Sequence, residues 1–461
     1  MYDGFRQRRS LKQAADARDR LESADAHRGT SDEFLRRHEQ ESAEAAKGTT
    51  RQRKTFAACL FRRIANSMNL LRAIDHMIAN GEQAAGPNGR RLHGLDRFGQ
   101  VALAQELARS LESGRYTPGP HREVQVAKAK GGHRALKIPN VEDRVVQRAI
   151  VQILQPFLDP RFATSSFGFR PTLGREHALA AAKRIVEGGR WCWVVEDIRD
   201  AFDQVPHGRL LDVVRMRIFA RDATDLIARV VRGNERARRG IPQGGSLSPL
   251  MLNVYLDHHL DRPWARACPQ WPLIRVADDL LIVCATVEEA MQARKELHRL
   301  LTSAAMPLKG TPETTTRNLA HGETATWLGY GLDKGEHGLQ ARLRDDGPTW
   351  DRLRENLVLA HEEPDAPRRA LQSIESWIQA HGPCYPTADV RRTHARIAEI
   401  ARALAFEEIP TVDDVEVLWT TAYERWERVR TKWTGAGEGQ QRKQGSRDSK
   451  GSMVAPQAKE A

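Results

Sequence analysis

The stretch PLIRVADDLLIVCA, residues 272–285, sets two adjacent aspartates, Asp278 and Asp279, between runs of Leu, Ile and Val. Short apolar runs of this kind read as buried strands, and an acidic pair between them reads as a hairpin turn. Asp favours turns, so the pair taken alone is explained by a plain turn. Upstream, WCWVVEDIRDAFDQV (191–205) repeats the oddity: a continuous apolar run ends in Asp197, which Ile198 follows. Carboxylates flanked by apolar residues are costly unless something neutralises them, and a bound cation does so. If the two strands are neighbours, Asp197 and Asp278 converge on one sheet edge. Hard oxygen ligands there suit Mg²⁺, which keeps several waters and takes substrate phosphates as further ligands. Two such ions about 3.5–4 Å apart activate an attacking oxygen and stabilise a leaving one. A PQGG loop, 242–245, lies between the two acidic segments. The joint order is far more specific than any of its parts.

Outward from this centre, RYTPGPHREVQVAKAKGGHRALKIPN (115–140) alternates around AKGG and predicts a two-stranded hairpin. Helical pattern precedes it over 55–112, with a Gly/Pro/Asn break and Gly114 as the terminating residue. It returns at 142–157, 176–187, 207–232, in LMLNVYLDHHLD and in EEAMQARKELHRLLTSA; TATWLGYGL reads as a further strand. From about 340 to Trp433 the chain reads mostly helical, with breaks such as GPCYPT. Residues 1–54 form a charged extension with helices expected near 10–26 and 31–47, the second opened by a Thr30/Glu33 capping box. This segment reads as a partly ordered extension or as a nucleic-acid-gripping arm. The tail 434–461 is poor in apolar residues and is expected to be disordered.

Composition bounds the possibilities. Forty per cent hydrophobic residues suffice for real cores, which excludes wholesale disorder. No apolar run approaches the roughly 20 residues that span a bilayer, and MYDGFRQRRSLKQ does not read as a signal peptide. Cys59, Cys192, Cys268, Cys284 and Cys384 are scattered and never form CxxC, which argues against a disulfide framework and fits a reducing cytoplasm. A formal charge of +12 points to a polyanion such as nucleic acid, although over 461 residues it also fits an ordinary solvated surface.

Six segments, in order, carry a family resemblance: GRYTPGPHREVQVAKAKGGHRALKIPNVEDRVVQRAI, SSFGFRP, EDIRDAFDQVPH, RGIPQGGSLSPLMLNVYLD, VADDLLIV and WLGY. Over about residues 60–335 the chain resembles reverse transcriptases of the bacterial group II intron lineage. The resemblance implies an α+β right-hand polymerase fold: fingers over 55–190, a palm with an antiparallel sheet over 191–335, and a helical thumb over 336–433. It implies that Asp197, Asp278 and Asp279 are the metal-binding catalytic carboxylates, holding two Mg²⁺ ions with Mn²⁺ as an alternative. They would align a primer 3′-OH for attack on a deoxynucleotide, copying an RNA template into cDNA. Phe202 resembles the steric gate that blocks a 2′-hydroxyl; its plain alternative is a core phenylalanine. Lys128 and Arg134, flanking AKGG, would reach the triphosphate as a point charge and a bidentate fork; as isolated residues they read as solvated charges. Gln243 and Gly244 would face the incoming nucleotide, Gly245 the template, and Arg170 either side. Trp327 and Gly329 in WLGY resemble the primer grip, or simply an apolar strand. Asp203 matches an acidic position with no assigned metal, or serves as a helix N-cap. Arg391, Arg392 and Arg396 either track a phosphate backbone or form a solvated helix face.

The chain also departs from the pattern. Val276 stands where Tyr usually precedes ADD. Pro312 falls near the place of a usual Lys, with Lys309 the nearest alternative and no general-acid role assigned to it. No HNH-type Cys/His motif follows the thumb. A domesticated, intron-like enzyme is the expected subgroup, serving phage defence, spacer acquisition or a retroelement role, with a structured noncoding RNA as a candidate partner of the basic extension. The alternatives are an RNA-binding intron maturase, whose task is RNA folding and splicing, and an RNA-directed RNA polymerase, against which Phe202 argues.

Overall fold

The computed structural model describes residues 31–429, apart from 83, 128–132, 234–236, 337, 344–347, 362–364 and 382–389. The helix expected near 10–26, the Thr30 cap, Lys128, Cys384 and the tail from 434 lie outside the described residues. Helices alternate with antiparallel strands, so the fold is α+β as expected.

Strands β1 (Arg122–Ala127) and β2 (His133–Ile138) pair as the expected hairpin, from Arg122 opposite Ile138 to Ala127 opposite His133. The central sheet joins β3 (Cys192–Asp197), β4 (Leu273–Val276), β5 (Asp279–Cys284) and β6 (Thr316–Asn318) in the order β4-β5-β3-β6, all antiparallel. Both faces of this sheet are covered, which is why its strands read as continuous apolar runs rather than alternating ones. Cys192, Val194, Leu280, Ile282 and Cys284 face a first core, built with helices that lie between residues 50 and 303. Trp193, Ile274, Leu281 and Val283 face a second core, shared with the C-terminal helices.

The first core is organised around helix Val141–Leu158, whose Val145, Val146, Ile150, Ile153, Leu154 and Phe157 are fully buried. The helix over 31–47 reaches it through buried His38, whose Nε2 lies 2.8 Å from the Ile153 carbonyl oxygen and 3.1 Å from the hydroxyl of buried Ser42. Local signals behave as the sequence implies: Asp96 caps helix Arg97–Glu112 through the Gly99 N–H, and Gly114 follows that helix at φ +70°.

Two expectations need correction. The helical stretch 207–232 is two helices, His207–Ile218 and Arg221–Arg232, broken where Phe219 adopts φ +53°. The WLGY strand is a hairpin: Trp327 ends β7 (Ala325–Trp327) and pairs with Tyr330, which opens β8 (Tyr330–Gly335). Leu328 and Gly329 both have positive φ, the requirement of a tight two-residue hairpin turn. Leu is a poor signal for that conformation, so the bend is not readable from composition. β9 (Gly338–Arg342) completes this three-stranded sheet.

The second core continues through helices Pro348–Ala360, Ala366–Ala380 and Val390–Ala403 and a helix over 412–429. No described helix is long and apolar enough to cross a membrane.

Candidate active site

Strands β3 and β5 are immediate neighbours, and their register sets Asp197 opposite Asp279 at the sheet edge. Asp278 occupies the two-residue turn between Val276 and Asp279, and its carbonyl oxygen accepts a hydrogen bond from the Ile198 N–H at 3.2 Å. The three aspartates singled out from the sequence therefore stand together. Asp278 sits in the hairpin turn and Asp279 opens β5, so the plain reading and the functional one describe the same place.

Ala277, the first turn residue, has φ +59°, a conformation a tight turn normally gives to Gly. Arg275, fully buried in β4, holds it there by donating to the Ala277 carbonyl oxygen at 3.0 Å. The same guanidinium donates to Asp261 at 2.6 Å, Asn253 at 2.9 Å and the Ser166 hydroxyl at 2.7 Å. Asp261 is fully buried too, so this ion pair and its hydrogen bonds brace the turn from inside the protein. Val276, in place of the usual Tyr, packs against the second core.

The electrostatics show a deficit of positive charge. Burial, and next the charge of Asp197, push the Asp278 carboxyl above its ordinary range. Lys309 supplies one counter-charge: its Nζ lies 3.0 Å from Asp197 Oδ2, and this hydrogen bond raises the pKa of the ammonium. The segment carrying Lys309 is tied to β3 by three contacts. Lys309 N donates to the Asp197 carbonyl at 2.9 Å, Arg199 N donates to the Pro307 carbonyl at 2.8 Å, and Gly310 N donates to Glu196 at 2.8 Å. Glu196 is buried and paired with Arg294 at 3.0 Å. The sequence carries no signal for this role, because a Glu beside Asp197 at the end of an apolar run reads as an ordinary strand-end residue. Carboxylate oxygens are hard donors of the kind a divalent cation takes, and burial, with the charge of Asp197 second, disfavours the ionised form of Asp278 until such a charge is supplied. Among the described residues no group of three His, Cys, Asp or Glu side chains is already gathered closely enough to hold a metal ion.

A cleft of about 860 Å³ opens over these aspartates, lined among others by Asp197, Asp278, Phe202, Gln243 and Lys309. Phe202 is half-buried, with one side on the first core and the other in the cleft, so it is both a packing residue and a wall. Gln243 Nε2 donates to Asp203 at 3.3 Å, and the Gln243 carbonyl accepts from Lys137 N at 3.0 Å. Asp203 lies inside the short helix Ala201–Gln204 and is not its N-cap. Gly244 and Gly245 turn their bare backbones to the protein. A Cβ on Gly244 would fall 2.9 Å from the Lys137 carbonyl oxygen, and one on Gly245 2.0 Å from Gln147 Oε1. Close approach is indeed the reason for these glycines, but what approaches is β2 and helix Val141–Leu158.

The other expected residues divide. Arg134 lies in β2, opposite Val126. Lys137, further along that strand and not singled out before, lines the cleft, as do His121, Arg199 and Arg239. Arg170 is not presented to the cleft. Its guanidinium grips Asp159 at 2.8 and 3.2 Å and the carbonyls of Asp159, Ala163 and Ser166. That reading is corrected: the fork is used internally, and the neighbouring Phe169 lines the cleft instead. Trp327 is 1% exposed within the second core, so its indole supports the hairpin; Leu328 packs partly against the same core, and of the two turn residues only Gly329 is exposed. Arg392 and Arg396, with Arg354, line a second cleft of about 520 Å³, and Arg396 stacks over the Trp350 ring at 4.4 Å.

Residues 126–332 match the profile of the reverse transcriptase (RNA-dependent DNA polymerase) family. The chain is 34% identical over 187 residues to Protein YkfC of Escherichia coli (strain K12), covering 37% of this chain and 49% of that protein. It is 34% identical over 175 residues to the group II intron-encoded protein LtrA of Lactococcus lactis subsp. cremoris, covering 36% of this chain and 29% of LtrA. It is 26% identical over 170 residues to nuclear intron maturase 3, mitochondrial, of Arabidopsis thaliana, covering 35% and 23%. The matched region thus spans about half the length of one of these relatives and less of the others.

Proposed function

We propose that this chain, which carries a group II intron-like reverse transcriptase domain in an α+β right-hand polymerase fold, is an RNA-directed DNA polymerase. The observation that carries the reading is the register of β3 against β5, which brings Asp197 beside Asp278 and Asp279, with Asp197 and Asp278 lining the cleft. In this reading residues 55–190 act as fingers, 191–335 as palm and 336–433 as thumb. The substrates are an RNA template, a primer or growing cDNA, and deoxynucleotides.

In the reaction the primer 3′-oxygen bonds to the α-phosphorus, the bond to the departing pyrophosphate breaks, and the hydroxyl proton leaves to solvent or a nearby base. Asp197, Asp278 and Asp279 would hold the divalent cations, two Mg²⁺ ions with Mn²⁺ as an alternative. When bound, these ions supply charge neutralisation for the attacking and leaving oxygens. The protein's own share is positioning and electrostatics. The Arg275 brace fixes the Asp278 turn, and Lys309 neutralises Asp197 before substrate arrives. Lys137, Arg199 and Arg239 give the cleft wall a positive lining for phosphate oxygens. Phe202 fills the space in which a ribose 2′-hydroxyl would sit, and Gln243 is held at the wall by Asp203 and β2.

Primer extension on an RNA template with Mg²⁺ and dNTPs tests the proposal. The wild type extends, and Asp278→Ala does not while still binding RNA. Normal extension by that variant would remove the metal-site assignment. A second reading, an intron maturase that folds RNA, is favoured by the names of the matched intron proteins. It predicts splicing activity that persists in Asp278→Ala. The lack of CxxC pairs supports a cytoplasmic setting, and a domesticated role in phage defence, spacer acquisition or a retroelement fits a domain of this type. Sequencing the nucleic acid that co-purifies with the protein distinguishes these, and a single enriched noncoding RNA would identify a dedicated partner.

A further inference from the structure

Phe169 combines features that seldom occur together. Its backbone lies at φ +56°, a genuine outlier for a bulky side chain. Strained backbone of this kind persists only where the surroundings over-determine it, and here they do. Gln155 Nε2 donates to the Phe169 carbonyl at 3.1 Å, and Asn253 Nδ2 donates to the Gly168 carbonyl at 2.8 Å. Phe167 N donates to the Arg275 carbonyl at 2.8 Å, and the Arg170 fork closes the far side. Gly168 leaves no slack: a Cβ there would fall 2.2 Å from the Ala277 backbone nitrogen. The loop is clamped against the very turn that carries Asp278.

Its ring is nevertheless 44% exposed and lines the cleft with Asp197, Phe202 and Asp278. Core filling does not account for it, since Phe167, at 2% exposure, already supplies this loop's core anchor. The ring meets Phe202 edge-on, with centroids 6.1 Å apart and planes at 66°, within the favoured range for aromatic pairs. Phe202 is held on its other side by the first core.

We infer that Phe169 is a specificity-determining positioning residue, whose ring backs Phe202 and holds it at the place where it discriminates the sugar of the incoming nucleotide. This rests on the reading of Phe202 as the steric gate. Without the Phe169 ring, Phe202 has open cleft beside it and can turn aside, admitting a 2′-hydroxyl.

Single-nucleotide incorporation by the full chain, with dNTP and rNTP in parallel, tests this in wild type, Phe169→Ala, Phe169→Tyr, Phe202→Ala and the double alanine variant. Phe169→Ala is expected to lower the dNTP-over-rNTP ratio of kcat/KM about tenfold, through faster rNTP use. Phe169→Tyr keeps the ring and should keep the ratio, and the double variant should discriminate no worse than Phe202→Ala. A general folding defect would lower both activities together and leave the ratio unmoved. An unchanged ratio in Phe169→Ala, with the ratio lost in Phe202→Ala, overturns the inference and leaves the gate standing. Additive losses in the double variant also overturn it, because the rings would then act separately. An unchanged ratio in Phe202→Ala removes the gate itself.

Discussion

Asp197 and Asp279 stand directly opposite one another across β3 and β5, so the spacing between the two acidic segments is a matter of strand register. A one-residue slip would turn every side chain of one strand to the other face. The alternation of Cys192, Val194 toward one core and Trp193 toward the other prevents that slip. The same packing that folds the sheet aligns the carboxylates.

Neutralising Asp278 separates stability from activity. Asp278→Asn should reduce primer extension at least about 100-fold and leave metal-free stability equal or higher. The Asp278 carboxyl is raised in the folded protein, by burial first and Asp197 second. Its contribution to stability is therefore present below the ordinary value of 3.8 and lost as pH rises through the folded value. The variant's advantage in chelator-treated thermal melts should appear at neutral pH and vanish below about pH 4. A lower melting temperature at pH 7 would show that the carboxylate is structurally satisfied.

The Gly168 contact is a second lever on the site. Gly168→Ala places a Cβ against the Ala277 nitrogen and the Val276 carbonyl carbon, which are backbone and cannot swing aside. Overpacking of this kind costs about 1–3 kcal/mol. Extension should fall further than the folded fraction measured by urea titration explains, because the displaced element carries Asp278.

Arg170 should behave as a structural residue. Arg170→Ala strands Asp159 and three carbonyl groups, and is expected to cost about 3 kcal/mol, the low end for a buried pair, since Asp159 keeps some solvent contact. Arg170→Lys should recover little of this, because a point charge cannot reproduce the fork. Denaturation midpoints check both, and nucleotide KM in the folded fraction should stay within about twofold.

Acid should weaken the N-terminal packing. Burial lowers the His38 pKa from 6.5 to about 4. The unfolded chain then binds a proton between these values that the folded chain refuses, so stability falls as pH drops below 6.5 and levels near 4. For His38 the loss between pH 6.5 and 5 is on the order of 2 kcal/mol. His259, also lowered to about 4, adds to the slope. His38→Asn should flatten the pH dependence measured by urea unfolding; an unchanged slope would place the titration elsewhere.

By itself the sequence determined the two acidic-ended strands of the central sheet, the hairpin at 122–138, the main helices and the three aspartates as the residues out of place. Those are local or strongly patterned signals: apolar runs, Gly/Pro breaks, and acids where burial forbids them unless something compensates. The tertiary structure alone decided which polar side chains look outward. Arg170 and Trp327 read as contact residues through the resemblance of SSFGFRP and WLGY, yet one is consumed by Asp159 and the other buried in a core. Phe169, which no sequence pattern singles out, is turned into the cleft by a left-handed backbone. Glu196 and Arg275 read as ordinary strand residues, yet they hold the Lys309 segment and the Asp278 turn. A side chain's direction and partners depend on what other parts of the chain bring against it. Periodicity along one strand carries the alternation but not the neighbour.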